Sequence, residues 1–204
     1  MTGSPLIAID GPAGAGKSTV SRAVAERLGL ERLDTGAMYR SVAWEALHRG
    51  VDPADEAAVS EIAATADIEV GPGVSINGAD VTHAIRTPEV SRAVSIVAAN
   101  PAVRRELVTR QRRWAAGRSG GVVEGRDIGS VVFPDATVKI YLTASPEERA
   151  RRRGHDESAD GVATRDRLDS TRQASPLTQA PDAHVLDTTG RSVEDVVEEV
   201  LSWL

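Results

Sequence analysis

Apolar positions along this chain follow two different periods. Leu6–Asp10 (LIAID), Gly120–Glu124 and Thr137–Leu142 are short, almost unbroken apolar runs, the pattern of strands buried on both faces of a parallel sheet. Glu31–Asp34 and Ala183–Leu186 are weaker candidates of the same kind. Between these runs lie longer stretches with apolar residues every three or four positions, which predict helices over Lys17–Leu28, Ala37–His48 and Ala54–Ala66. Gly29 and Gly50 stop the first two. In Ala37–His48 the residues available to the interior are Met38, Val42, Trp44, Ala46 and Leu47. Alternating strands and helices predict an α/β domain with a parallel sheet.

Over residues 67 to about 87 the period shortens. Asp67–Val70, Val74–Ile76 and Ala79–Val81 read as short antiparallel strands, and Asn77-Gly78 between the last two is a strong hairpin signal because both turn residues need positive φ. This small insert is followed by two helices with clear start chemistry: Thr87-Pro88-Glu89 and Asn100-Pro101 each set a capping residue before a proline. The second runs to about Ala116. Ser145-Pro146-Glu147-Glu148 predicts a capping box, and Ser192-x-x-Asp195 caps a C-terminal helix. The expected division is a core of 1–66 and 117–204, an insert with its helices over 67–116, and a lid over 149–172 within the core.

Composition narrows the function. The 204 residues support one substantial core. There is no cysteine, hence no disulfide, thiolate metal site or thiol nucleophile. A short polar lead at Met1 predicts no signal peptide, and no apolar stretch is long enough for a membrane span, so a cytoplasmic protein is expected. A net charge of −6 and only six aromatic residues argue against a nucleic-acid polymer as partner. The arginines are nonetheless clustered, at 104–118 and 149–172, which suits a small polyanion; solvated helix faces must account for many of them.

The strongest motif is Gly11-x-x-x-x-Gly16-Lys17-Ser18, running straight out of the first strand into a helix. Of 24 basic residues only Lys17 and Lys139 are lysines, and one stands where this motif requires it. Backbone N–H groups of a glycine-rich turn and the following helix N-terminus bind phosphate oxygens. Lysine adds a compact charge where a planar guanidinium would crowd the loop. The Ser18 hydroxyl is a candidate Mg²⁺ ligand. A nucleoside triphosphate is the expected ligand, but this motif alone does not specify a reaction.

Three further segments carry chemistry. Leu33-Asp34-Thr35-Gly36-Ala37-Met38-Tyr39-Arg40 sits at a strand's carboxyl end, where ligands bind in open parallel sheets. Val122-Val123-Glu124-Gly125-Arg126-Asp127-Ile128-Gly129 puts acid, glycine, arginine and acid at another such end. In Arg149–Arg172, basic residues flank a polar stretch on both sides: Arg149, Arg151, Arg152 and Arg153 before it, Arg165, Arg167 and Arg172 after it. That arrangement describes a lid that brings positive charge onto a transferring phosphoryl group. Helix-dipole compensation explains Arg151–Arg153 well and Arg165–Arg172 badly.

Taken together, LIAIDGPAGAGKST, LDTGAMYR, IRTPEV, VEGRDIGSVVFPDA, SPEERARRR and DSTRQASPL resemble the bacterial cytidylate kinases, in the family's order and over nearly the whole chain. The resemblance implies a P-loop kinase with a five-stranded parallel sheet flanked by helices, a small antiparallel β insert on the acceptor side and an Arg-rich lid. It implies reversible transfer of the γ-phosphoryl group of ATP, with Mg²⁺, to CMP or dCMP, by a monomer. The ATP phosphates would lie on Gly11, Pro12, Ala13, Gly14, Ala15, Gly16, Lys17, Ser18 and Thr19. Thr35 and Arg40 would face CMP, with Arg40, Arg126 and Arg165 on its phosphate and Tyr39 walling the pocket. Ser95, Arg104, Asp127 and Arg172 would read the cytosine or its surroundings, and Asp169 the ribose hydroxyls. Lys17, Arg126, Arg152 and Arg165 would carry catalysis. The stretch Gly154–Thr164 is shorter than the family's usual one. A P-loop kinase acting on another small acceptor and a nucleotide-switch protein stay open as alternatives, although no water-positioning glutamine stands near a switch-like segment.

Overall fold

The computed structural model describes residues 4–153 and 177–204. The chain folds as two compact units, residues 1–34 with 112–204 and residues 35–111.

The first unit is built on a five-stranded sheet in which every pairing is parallel: β1 (Leu6–Asp10), β2 (Arg32–Asp34), β6 (Gly121–Glu124), β7 (Val138–Thr143) and β8 (His184–Asp187), ordered β2-β6-β1-β7-β8. The remaining strands belong to the second unit. β1 and β6 are central and almost wholly buried, as their unbroken apolar runs require. Helices α1 (Lys17–Leu28) and α7 (Val193–Leu201) pack on this sheet: Val20, Val24, Val196, Val197 and Val200 join Ile7, Ile9, Ile140 and Leu142 in one core. Trp203 packs on the same core and stacks on His184, with centroids 4.2 Å apart. Register brings the carboxyl ends of three strands level, Ile9 and Asp34 both pairing with Glu124.

Lys139 is buried on β7. Its ammonium donates to both oxygens of Asp182 at 2.9 and 2.7 Å, and its stem lies against Gly129, where an added Cβ would come within 3.1 Å of Lys139 Cγ. Helix α6 (Pro146–Arg153) starts at Ser145, whose hydroxyl accepts from Glu148 N at 3.2 Å. The expected capping box is only half made. Ser145 N donates instead to Thr189, while the Glu148 carboxylate takes Arg151 and Arg152, two cations that outbid a backbone amide.

In the second unit, α2 (Thr35–His48) and α3 (Glu56–Thr65) precede a three-stranded antiparallel sheet, β3 (Ile68–Val70), β4 (Val74–Ile76) and β5 (Ala79–Asp80). Asn77 (φ 51°) and Gly78 (φ 80°) form the expected turn with both central residues at positive φ. A 3₁₀ turn (Ala84–Arg86) leads to α4 (Pro88–Ala99) and α5 (Pro101–Ala116), capped by Thr87 and Asn100 as predicted. Ala37 of α2 shares one core with Val74, Ile76, Val81 and Ile85, with Trp44 packed against it. The unit therefore begins at α2, whereas the expected insert began at residue 67, because α2 buries a face on the small sheet.

Two expectations need correction. β2 passes directly into α2, so the helix expected from Ala37 begins at Thr35, with Thr35 and Gly36 in its first turn. In the arginine cluster at 104–118, several members are structural. Arg110 donates to the carbonyls of Ala63, Ala64 and Ala66 at the end of α3. Arg112 donates to those of Val131 and Val132. Arg118 lies 4.3 Å over the Trp114 ring and binds Glu31. Arg110→Met leaves three α3 carbonyls without their cation and lowers unfolding free energy by about 1–3 kcal/mol, read from urea unfolding curves.

Candidate active site

β1 ends in a turn that only glycine can make. Gly11 (φ 145°), Gly14 (φ 77°) and Gly16 (φ 92°) all hold positive φ, and a Cβ on Gly11 would sit 2.1 Å from the Leu142 carbonyl oxygen. A Cβ on Gly14 would come within 2.7 Å of the Arg149 carbonyl oxygen. The N-cap of α1 is Gly16, with no side-chain cap and no acidic residue in the first turn, so the helix's positive end faces the turn uncompensated. Lys17 Nζ donates to the carbonyls of Gly11 and Pro12, both at 2.8 Å, which sets the ammonium over the loop.

Arg126 Nη1 also donates to the Gly11 carbonyl, at 3.0 Å, bringing the second motif to the first. Asp10 makes the join rigid. Its carboxylate oxygens accept from Ile128 N at 2.8 Å and Gly129 N at 2.7 Å, while Asp127's carbonyl accepts from Val131 and Val132 in the π-helical turn Ile128–Val132. Arg126 and Asp127 therefore ride on a loop anchored at the root of the glycine turn. Burial pushes the Asp10 carboxyl up to about 6, against the two amide bonds that favour its charged form.

Glu124, at the end of β6, is 2% exposed and pairs with Arg32 at 2.7 Å, with Asp34, Lys17 and the Ser18 hydroxyl around it. Burial, reinforced by Asp34, raises its carboxyl to about 7, and Arg32, Lys17 and Ser18 pull the other way. Within the Val122–Gly129 motif nothing in the sequence singles out a role for Glu124. The acid was visible at a strand end; the pairing of that strand with β1 was not. Hard oxygen donors from Ser18, Glu124 and Asp34 fit a Mg²⁺ ion that takes most of its shell from phosphate and water.

α6 reaches the same turn. Arg149 Nη1 donates to Ala13 O at 3.3 Å, and Arg152 donates to Thr188 Oγ1 at 2.9 Å, Thr188 O at 2.8 Å and, more weakly, Gly14 O at 3.4 Å. Thr188 Oγ1 in turn donates to the Ala15 carbonyl at 3.1 Å. A cleft of about 320 Å³ opens here, walled by Thr19, Val20, Arg152, Thr188, Val193 and Val196. Neither Arg149's contact nor this cleft was legible beforehand, since both depend on α6 and α7 meeting the turn.

The second unit gathers its own set. Arg40 is 8% exposed, and its Nη1 donates to Ile85 O at 3.1 Å and Ser91 Oγ at 3.0 Å. Arg104, also buried, lies with Cζ 5.8 Å from the Tyr39 ring centroid. Thr35 is buried at the start of α2. Ser95 is buried, and its hydroxyl has no hydrogen-bond partner among the described residues. The expected roles of Arg165, Asp169 and Arg172, and the lid beyond Arg153, lie outside the described residues.

Solved kinases share this architecture. A gluconokinase from Sinorhizobium meliloti superposes with a TM-score of 0.54 at 15% identity, covering 100% of this chain and 93% of that one. Shikimate kinase from Acinetobacter baumannii gives 0.50 at 19% identity, covering 97% and 91%. A parallel sheet of this order around a glycine cradle defines a P-loop kinase fold. Sequence narrows the class. The cytidylate kinase family profile matches residues 7–204. "Cytidylate kinase" of Pelotomaculum thermopropionicum is 50% identical, covering 99% of this chain and 96% of the relative. "Bifunctional pantoate ligase/cytidylate kinase" of Synechococcus sp. (strain WH7803) is 52% identical over 97% of this chain, which spans 44% of that relative's length. The chain belongs to the cytidylate kinase family.

The pH dependence of Asp10 has a definite sign. Folding raises its pKa from 3.8 to about 6, so the folded chain holds the proton more tightly. This site's contribution to stability therefore falls as pH rises from about 4 to about 6 and is constant above that. Between pH 4.5 and 7, this contribution declines by on the order of 2 kcal/mol in the wild type and is absent in Asp10→Asn, as urea unfolding at the two pH values reads out.

Proposed function

We propose that this chain transfers the γ-phosphoryl group of ATP to CMP or dCMP, giving ADP and CDP or dCDP. The observation that supports it most directly is the glycine cradle with Lys17 and Arg126 donating to one carbonyl, in a chain of this family. The acceptor phosphate is already an anion, so no strong general base is needed. The task is to bring two polyanions together in line with their charge neutralised.

Each residue has a part in that task. The turn Gly11–Gly16 and the first turn of α1, through Thr19, hold the donor's phosphates, with Lys17 on the β and γ groups. The cleft beside Thr188, with Val20, Val193 and Val196 on its wall, takes the donor's nucleoside. Arg126 and Arg152 bear on the transferring group, joined by Arg165 from the lid. Arg40 and Arg126 take the CMP phosphate. Tyr39 and Thr35 line the acceptor side, and Asp169 takes the ribose. Ser95, whose buried hydroxyl has no hydrogen-bond partner among the described residues, reads the cytosine with Arg104, Asp127 and Arg172. Ser18, supported by Glu124 and Asp34, would hold Mg²⁺, which when bound supplies neutralising charge to the phosphates. A monomer carries all of these groups, and a cytoplasmic setting suits its substrates. Among the described residues no helix is long and apolar enough to cross a membrane.

Two measurements test the reading. Lys17→Ala lowers turnover by about a hundred- to a thousandfold, with an unchanged far-UV spectrum and thermal midpoint; turnover near the wild-type rate would reject the role of Lys17. In a coupled ADP assay, CMP and dCMP outrun UMP while AMP and GMP fail, because a wrong base leaves buried polar groups unpaired. Equal rates with AMP would instead point to another nucleotide kinase.

A further inference from the structure

Arg40 is a long side chain turned inward from the first half of α2, and a buried guanidinium has to be aimed before it can meet an anion in bidentate fashion. Two oxygens from two different elements aim it. Nη1 donates to the carbonyl of Ile85 in the 3₁₀ turn at 3.1 Å and to the hydroxyl of Ser91 on α4 at 3.0 Å. With both protons of one nitrogen directed, the plane of the whole fork is set. Both of these oxygens are neutral acceptors that orient the guanidinium.

The supports are themselves fixed. Ile85 is fully buried in the small core with Val74, Ile76 and Val81. Ser91 lies in the first turn of α4, where its N–H reaches Thr87 O at 2.9 Å and the Thr87 side chain caps the helix. Serines and threonines inside helices can bond back to a carbonyl one turn earlier. Ser41, Ser60, Thr65 and Thr109 do so here. The Ser91 hydroxyl is instead engaged by Arg40.

We propose that Ser91 is a positioning residue for the acceptor's phosphate, acting through Arg40. The proposal rests on the reading of Arg40 given above. In effect the antiparallel insert and the start of α4 would serve as a bracket for one cation.

The test uses the full chain with Ser91→Ala and Ser91→Thr. In Ser91→Ala the KM for CMP rises about five- to tenfold, while the KM for ATP and the thermal midpoint hold; Ser91→Thr, which keeps the hydroxyl, restores the KM for CMP. In the free protein, nitrogen NMR of the Arg40 guanidinium shows slower rotation of the Nη groups in wild type and Ser91→Thr than in Ser91→Ala. An unchanged KM for CMP, an equal rise in both KM values, or failure of Ser91→Thr to restore it would overturn the proposal. So would Arg40 rotation that is the same in Ser91→Ala and wild type, whatever the acceptor proves to be. A wild-type chain that phosphorylates no CMP or dCMP fails the proposed function instead, and the NMR comparison then decides the role of Ser91 by itself.

Discussion

One peptide carbonyl, that of Gly11, accepts from both Lys17 and Arg126. It can do so only because the backbone there turns through φ 145° under the Leu142 carbonyl, in a space that excludes even a methyl group. Directly before it, the Asp10 carboxylate pins the amides of Ile128 and Gly129. Two motifs more than a hundred residues apart in sequence are thus fastened at adjacent peptide units. Positive charge gathers over the loop before any anion arrives, and the electrostatic work is done by geometry fixed during folding.

The arginines divide by what they touch. Arg110 and Arg112 finish the hydrogen bonding of helical turns, Arg32 balances a buried glutamate, and Arg27 ties α1 to α7 through Glu194 and Glu198. Arg40, Arg126, Arg149 and Arg152 each donate to backbone carbonyls or hydroxyls, and Glu148 also engages Arg152. Neutral partners of that kind fix a guanidinium's direction. A carboxylate partner also offsets part of its charge.

Much of this was legible in the sequence. The unbroken apolar runs of β1 and β6, the Asn77-Gly78 turn and the Thr87 and Asn100 caps each announce themselves through local chemistry, and each is found. The glycine turn was equally plain, because its spacing is dictated by phosphate size and by positive φ. What escaped was anything set by which strand lies beside which. Glu124 gains its meaning from the alignment of β2, β6 and β1, and Arg149 and Thr188 from elements far apart in the chain closing on one turn. The structural parts of Arg110 and Arg112 were hidden for a related reason: charge counts along a helix do not say which members face a neighbouring helix end.

Lys139 has a consequence for chemistry done on the protein from outside. It and Lys17 are the chain's two side-chain amines, and Lys139 is buried with its ammonium committed to Asp182. An acylating or carbamylating reagent therefore meets a nearly blank surface, and the side-chain amine it reaches most readily is the one over the glycine turn. Ageing in urea solutions, or labelling with an amine-directed dye, would silence such a protein at very low stoichiometry, and a nucleotide occupying the turn would shield it.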